Sequence, residues 1–481
     1  MVIHQDVVRS GPAAAPPSTG PEPVDGRDPV LRLGLLGDPG SVTAHPDGPD
    51  GTEPHGAAWA RMTVDGAPCV AFALDPRVSA GALSTRTCAT ILDAYRAARE
   101  ARVPVVGLWH SSGARLQEGA AGLDAVAQVF RAMTAASGRI PQISVIVGPA
   151  AGGAAYGPAL TDVVVTAPEA RMFITGPDVV HTVTGERVGA DELGGPDVHG
   201  THSGVAHVRG RDLADALGAA RRLVTLLHPD RPESVGEVAD RDLAALLPAA
   251  RKRAYDVHPV IDGVLDGPGL ELHPDFSPNI VTVLGALGGR TIGVVASNPL
   301  RKGGCLDAQG AEKAARFVRM CDGFGVPLLV LVDVPGYLPG VQEEWGGVVR
   351  RGAKLLHAFA EATVPSVSVI LRKAFGGAYI AMNCRGLGAG TVFAWPGAEI
   401  AVMGAPAAVR ILHRRELRDH PDPGAREEEL VREHAARAGT PDEAVGLGLV
   451  DRVIDPDRTR SLVAAALRVP ARRGDHANIP L

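Results

Sequence analysis

The chain has 481 residues, of which 45% are hydrophobic, 21% charged and only 4% aromatic. At roughly 150 residues per domain this length suggests three domains or two large ones, and the low aromatic share favours a layered α/β architecture over an all-β one. With 48 Lys and Arg against 54 Asp and Glu the net charge is −6, so the sequence offers no basic footprint for nucleic acid or for an anionic membrane surface.

Taken in chain order, residues 1–30 are rich in Pro, Gly and Ala and cannot bury enough apolar surface to offset their chain entropy, so they read as a disordered tail. They lack a basic segment followed by an apolar run, and no later stretch reaches the roughly 18 apolar residues of a membrane span. A cytoplasmic protein is expected. Cys69, Cys88, Cys305, Cys321 and Cys384 include no CxxC pair. They read as small apolar residues in a reducing compartment, and no metal is expected.

Beyond the tail the chain repeats itself. VDGAPCVAFALD at 64–75 places Gly66 between two strand-like runs, and LGGRTIGVVASN at 287–298 places Gly289 in the same role. Leu83 in GAL and Leu306 in GCL then precede Ala-rich amphipathic stretches, and VPVVGLWHSSG at 103–113 matches VPLLVLVDVPG at 326–336. Finally PQISVIVGPAAGGAA, from Pro141, matches PSVSVILRKAFGGAY, from Pro365. Each half reads as strand, turn, strand, helix, strand, helix, strand, Gly-Gly, helix, strand, a β-rich series of βαβ units duplicated in tandem. Between the halves, roughly 210–255 reads as a linker: a charged helical stretch, then the Pro-rich HPDRPES.

A strand that stops at Gly-Gly and restarts as a helix exposes backbone N–H groups where the helix dipole favours negative charge. Such donors suit a phosphate or the oxyanion of a reacting carbonyl. The phosphate reading lacks support, because neither turn carries a GxxxxGK[ST] lysine or a GxGxxG with a ribose-binding acid. No GxSxG elbow, HExxH or recognisable Ser/His/Asp set is present. Two oxyanion cradles imply a group transfer between two carbonyl-type reactants.

These residues sit in longer strings: GDPGSV at 37–42, GARLQEG at 113–119, AAGGAAYGPALTD at 150–162, FITGPDVVHTVTGERVGADELGG at 173–195, then EKAARFVRMCD, VDVPGYLPG, RKAFGGAY, ILHRRE and a terminal NIPL. Together they resemble the carboxyltransferase (β) subunits of biotin-dependent acyl-CoA carboxylases of the acetyl-CoA and propionyl-CoA type. The resemblance implies an α/β fold of two tandem duplicated crotonase-like (ClpP/crotonase) β-β-α superhelix modules. Residues 31–250 would form the acyl-CoA module and 251–481 the biotin module. It implies that Gly152 and Gly153 receive the thioester oxygen, that Gly377 and Ala378, after Phe375 and Gly376 on the biotin side, receive the ureido oxygen of carboxybiotin, and that no side-chain base is required. Gly113, Ala114 and Arg115 match the CoA-facing turn, with Arg115 placed for a CoA phosphate. Ile380 falls where the acyl chain is selected, its apolar side chain resembling forms that accept acetyl-CoA or longer groups as well as propionyl-CoA.

The family's usual Asp-Ser-Gly-Gly-Ala-Arg is here His110-Ser111-Ser112-Gly113-Ala114-Arg115, and Ser84-Thr85-Arg86 departs from a Gly-Glu context. His110 is a candidate general base or a hydrogen-bonded structural residue. Two rival functions stand beside carboxyl transfer: a biotin-independent malonyl-type acyl-CoA decarboxylase using the first cradle, and a silent scaffold for a carboxylase complex. The chain has no AMKM-like biotinyl-lysine context and no ATP-grasp or P-loop signature. Carboxybiotin is therefore expected from a biotinylated α subunit, and the resemblance implies a homo-oligomer, a hexamer with each site shared between subunits.

Overall fold

In the computed structural model, residues 25–45, 56–250 and 253–480 are described. The first strands are β1 (Thr43–His45), β2 (Ala57–Val64), β3 (Ala67–Leu74), β4 (Val105–Ser111), β5 (Gln142–Ala151), β6 (Val163–Thr166), β7 (Arg171–Phe173) and β8 (Val208–Arg209). They form one sheet in the order β1-β2-β3-β4-β5-β6-β8, with β7 also on β5. A second sheet repeats this with β9 (Leu270–Leu272), β10 (Ile280–Leu287), β11 (Arg290–Ser297), β12 (Leu328–Val334), β13 (Ser366–Phe375), β14 (Thr391–Ala394), β15 (Glu399–Ala401) and β16 (Arg452–Val453). In each sheet the opening hairpin is antiparallel and the later pairings are parallel.

The duplication extends to small features. The first crossover helix of each half, Thr85–Ala101 and Ala308–Gly323, is N-capped by a side chain, Ser84 accepting from the Thr87 amide and Asp307 from that of Gly310. Such a cap satisfies a first-turn donor and contributes about 1 kcal/mol. The pairing of β4 with β5 slips between Trp109 and Ser111, and that of β12 with β13 slips between Val332 and Val334. Strands β4 and β12 are almost wholly buried, covered by helices on both faces, which is why they read as unbroken apolar runs.

Two sequence expectations need correction. The tail assigned to 1–30 overlaps the helix Pro29–Leu36, which is capped by Asp28, carries Pro29 at its first turn and buries Leu33 and Leu36; residues 1–24 lie outside the described residues. The presumed linker contains the helix Leu213–Leu227, whose Ala216, Leu217, Ala220, Leu223, Val224 and Leu227 are buried in the main core. It seals the face of the first sheet against β5 and β6. Its charged residues, which suggested a linker, lie half-buried off the apolar stripe of an amphipathic helix, where Arg221 pairs with Asp38 at 2.7 Å and donates to the Leu36 carbonyl at 2.6 Å.

The two halves share that core, because one buried cluster draws residues from both sheets. Polar contacts reinforce the seam. The His273 amide donates to the His207 carbonyl at 2.7 Å, their rings lie 4.1 Å apart, and the Asn478 side chain donates to the buried Asp162 carboxylate at 2.8 Å. No helix among the described residues is long and apolar enough to cross a membrane.

Candidate active site

Each half builds the same turn at the carboxyl end of its central strand. After β5, Gly152 adopts φ 57° and ψ −127°, and a helix runs from Gly153 to Ala159. After β13, Gly376 adopts φ 59° and opens the helix Gly376–Ala381. A side chain is disfavoured at both positive-φ positions, and a Cβ on Gly376 would also stand 3.0 Å from the Val402 carbonyl. Gly152 thus matches Gly376, and Gly153 and Ala154 match Gly377 and Ala378. The Gly152 amide itself donates to the Phe173 carbonyl at 3.1 Å. The assignment of Gly152 as a free donor is corrected on that ground: it shapes the turn, and the first-turn amides without an intrahelical acceptor are those of Gly153 and Ala154.

Each half also carries an isolated β-bridge just past the strand that pairs with the turn's own strand. In the first half the Leu83 amide donates to the Gly113 carbonyl at 2.7 Å and the Arg115 amide donates to the Leu83 carbonyl at 2.9 Å. This parallel bridge turns the Ala114 N–H to the opposite side. Gly113, at φ 103°, packs so closely on the neighbouring turn that a Cβ would lie 3.0 Å from the Ala151 carbonyl. In the second half Leu306 makes the same bridge around Tyr337, receiving the Leu338 amide and donating to the Gly336 carbonyl. Sequence reasoning missed Tyr337 as a site residue. The signal was present, because Leu306 and Tyr337 repeat the spacing of Leu83 and Ala114.

One turn beyond the amides, Tyr156 and Ile380 occupy matching positions and are 54% and 46% exposed. Exposure of large apolar side chains at both places marks surface that this chain alone does not cover. Tyr156 lines a 370 Å³ cavity with Phe173, Ile174, Val180 and Val205. Phe375 lines a separate 150 Å³ cavity with Glu399, Met403 and Thr440. The two hollows share no lining residue, and the amide-bearing residues Gly153, Ala154, Gly377 and Ala378 border neither of them. Arg115 is partly exposed, and its one described ion pair, to Glu118, is long at 3.8 Å.

The departure at His110 has a structural account. Its counterpart in the repeat is Asp333, whose buried carboxylate accepts the Lys373 amide of β13 at 3.1 Å. The residue matching Lys373 is Pro149, which has no N–H to satisfy. With that donor gone, the carboxylate gives way to an imidazole lying over Gly148, where a Cβ would come within 2.5 Å of the ring. Burial, followed by repulsion from Arg32 and Arg27, pulls the His110 pKa down to about 4. Arg32 Nη2 is 3.5 Å from Nδ1, which can only accept from a guanidinium, so the proton sits on Nε2. A neutral imidazole of such low basicity is poorly matched to proton abstraction at neutral pH.

Duplicated α/β modules with amide cradles at matching turns define an acyl- or carboxyl-transfer scaffold. Residues 59–478 match the family model described as "Carboxyl transferase domain", and the chain belongs to that family. It is 55% identical over 476 residues to the biotin-dependent acetyl-/propionyl-coenzyme A carboxylase beta6 subunit of Mycobacterium tuberculosis, covering 97% of this chain and 99% of the relative. It is 52% identical over 478 residues to the propionyl-CoA carboxylase beta chain of Rhodococcus erythropolis, again covering 97% and 99%. Among solved structures, transcarboxylase 12S, described as a hexamer assembly with methylmalonyl-coenzyme A bound, superposes with a TM-score of 0.88 at 39% identity, covering 94% of this chain and 92% of that one.

Proposed function

We propose that the two amide sets divide the labour of one carboxyl transfer. The chain is the carboxyltransferase subunit of a biotin-dependent acyl-CoA carboxylase and carboxylates acetyl-CoA or propionyl-CoA. In the module 31–250, the amides of Gly153, Ala154 and Ala114 hold the thioester oxygen as negative charge develops on it, and Arg115 pairs with a CoA phosphate. In the module 251–481, the amides of Gly377, Ala378 and Tyr337 hold the ureido oxygen, beside Phe375 and Gly376. The second turn suits a bulky ring, because nothing lies within 4 Å of a Cβ built on Gly377. Carboxybiotin, when delivered by a biotinylated α subunit, supplies both the carboxyl group and the base. That division agrees with His110 being held neutral and weakly basic.

The observation that carries this reading is the doubled arrangement itself, first-turn amides plus a bridge amide at each strand end. The exposed Tyr156 and Ile380 at matching places, and the hexamer assembly described for transcarboxylase 12S, support a site in which the first module of one subunit meets the second module of another. We assign a hexamer on this ground, with Ile380 of one subunit beside the acyl group bound to its neighbour, and no metal. The test is bicarbonate fixation over a panel of acyl-CoAs with a purified biotinylated partner and ATP. Carboxylation of acetyl-CoA or propionyl-CoA, abolished by avidin, is expected. Avidin-resistant decarboxylation of a malonyl-CoA without ATP would overturn the reading in favour of the lyase.

A further inference from the structure

At the opposite end of the first sheet from the Gly-Gly turns lies a 630 Å³ cavity walled by Arg96, Arg99, Arg102, Arg139 and Arg473, with Glu100 as its single acid. It sits at the seam between the halves, where the end of the helix Thr85–Ala101 and the loop before β5 meet Gly323 and Gly474. Strand β5 separates it from Gly153, and its 10 residues span about 30 Å. Arg99, Arg102, Arg139 and Arg473 make no ion pair with any described residue; Arg96 pairs with Asp93 at 3.0 Å. Arg473 also borders a smaller adjoining hollow, where the half-buried Arg231 donates to the backbone carbonyls of His228 and Phe324 and Glu233 is the one acid in the lining. The proximity of Arg473 and burial together lower the Arg231 pKa to about 10, burial being the larger cause.

Such a concentration of cations is unusual in a chain with an excess of acids. Like charges gathered around a concavity repel one another, and a ligand that neutralises them relieves that repulsion. Guanidinium forks match phosphate oxygens two at a time. The volume suits a small molecule, and the lining contains no aromatic ring on which a base could stack. We propose that this cavity is a binding site for a compact polyphosphate anion, recognised through its phosphates and distinct from the acyl-CoA site. The inference does not depend on the carboxyltransferase assignment of the Gly-Gly turns. A linear inorganic polyphosphate and the polyphosphate of a nucleotide share this chemistry, so both serve as probes.

The experiment is isothermal titration of the purified full chain with sodium tripolyphosphate, and separately with ATP, in low salt, using sulfate at equal ionic strength as control. Saturable binding of one tripolyphosphate per chain is expected, weakened at least tenfold in an Arg99→Ala/Arg139→Ala double variant and unchanged in Arg115→Ala. Both replaced arginines are exposed and make no described side-chain bond, so the fold is retained, which a thermal melt verifies. ATP binding as tightly as tripolyphosphate identifies phosphate as the recognised group; much tighter ATP binding at the same residues identifies a nucleotide as the ligand. Binding no stronger than sulfate, binding unaltered in the double variant, or binding lost in Arg115→Ala would each overturn the proposal.

Discussion

Two adjacent glycines should fail in opposite ways when given a side chain. Gly376 holds φ 59°, and its Cβ would meet the Val402 carbonyl at 3.0 Å. Gly376→Val should therefore cost about 1–2 kcal/mol for the left-handed backbone alone, plus the displacement of a carbonyl, and should lower the melting temperature. Gly377 has ordinary helical geometry and open space where its Cβ would stand. Valine is a better helix former than glycine by a few tenths of a kcal/mol, so Gly377→Val should melt no lower than the parent. Its branched side chain nevertheless fills the approach to the amides of Gly377 and Ala378. Loss of one oxyanion donor costs about 3 kcal/mol, or about a hundredfold in rate. The assay pairs thermal melts with carboxylation of propionyl-CoA by the assembled enzyme. A folded Gly377→Val with the parental rate would refute the assignment of these amides to the reaction.

Other outcomes follow from the same geometry. Gly153→Val should lose activity as well, but with a stability cost of about 1–3 kcal/mol, because its Cβ would already press on Val126 Cγ1 at 3.2 Å; an unchanged denaturant midpoint would contradict the packing argument. Arg115→Ala should raise KM for acyl-CoA with little change in kcat, the signature of uniform binding; a selective fall in kcat would instead place Arg115 at the transition state. Ile380→Asp should change the ratio of acetyl-CoA to propionyl-CoA carboxylation, and an unaltered ratio would remove that residue from specificity. His258 donates to Glu271 at 3.0 Å and contacts Asp256, and these partners, Glu271 first, raise its pKa from 6.5 to about 9. Its folded form binds the proton more tightly than the unfolded form, so the stabilisation is complete below pH 6.5 and is lost as pH rises through about 9. Melting temperatures between pH 6 and 10 should show this slope reduced in His258→Gln; an identical profile in the variant would sink the assignment.

Local sequence determined a great deal here. The repeat register is legible in residue spacing, the two strand-to-helix turns in a backbone geometry that glycine adopts far more readily than other residues, as Gly152 and Gly376 show by their positive φ, and the class of chemistry in the longer strings that carry the family resemblance. Such constraints are short-range, so they survive in the linear order of the chain. What sequence reasoning misjudged depended on contacts across the fold. The helix Leu213–Leu227 looked like a linker until the sheet that accepts its apolar face was in place. Gly152 looked like a donor until Phe173, brought alongside by β7, took its hydrogen. Tyr337 stood out only through its bridge to Leu306, and His110 made sense only against Pro149 across the sheet. Which amides remain free, and how basic a buried imidazole is, are set by neighbours distant in sequence: burial and hydrogen bonding act through space, and only the folded chain decides who those neighbours are.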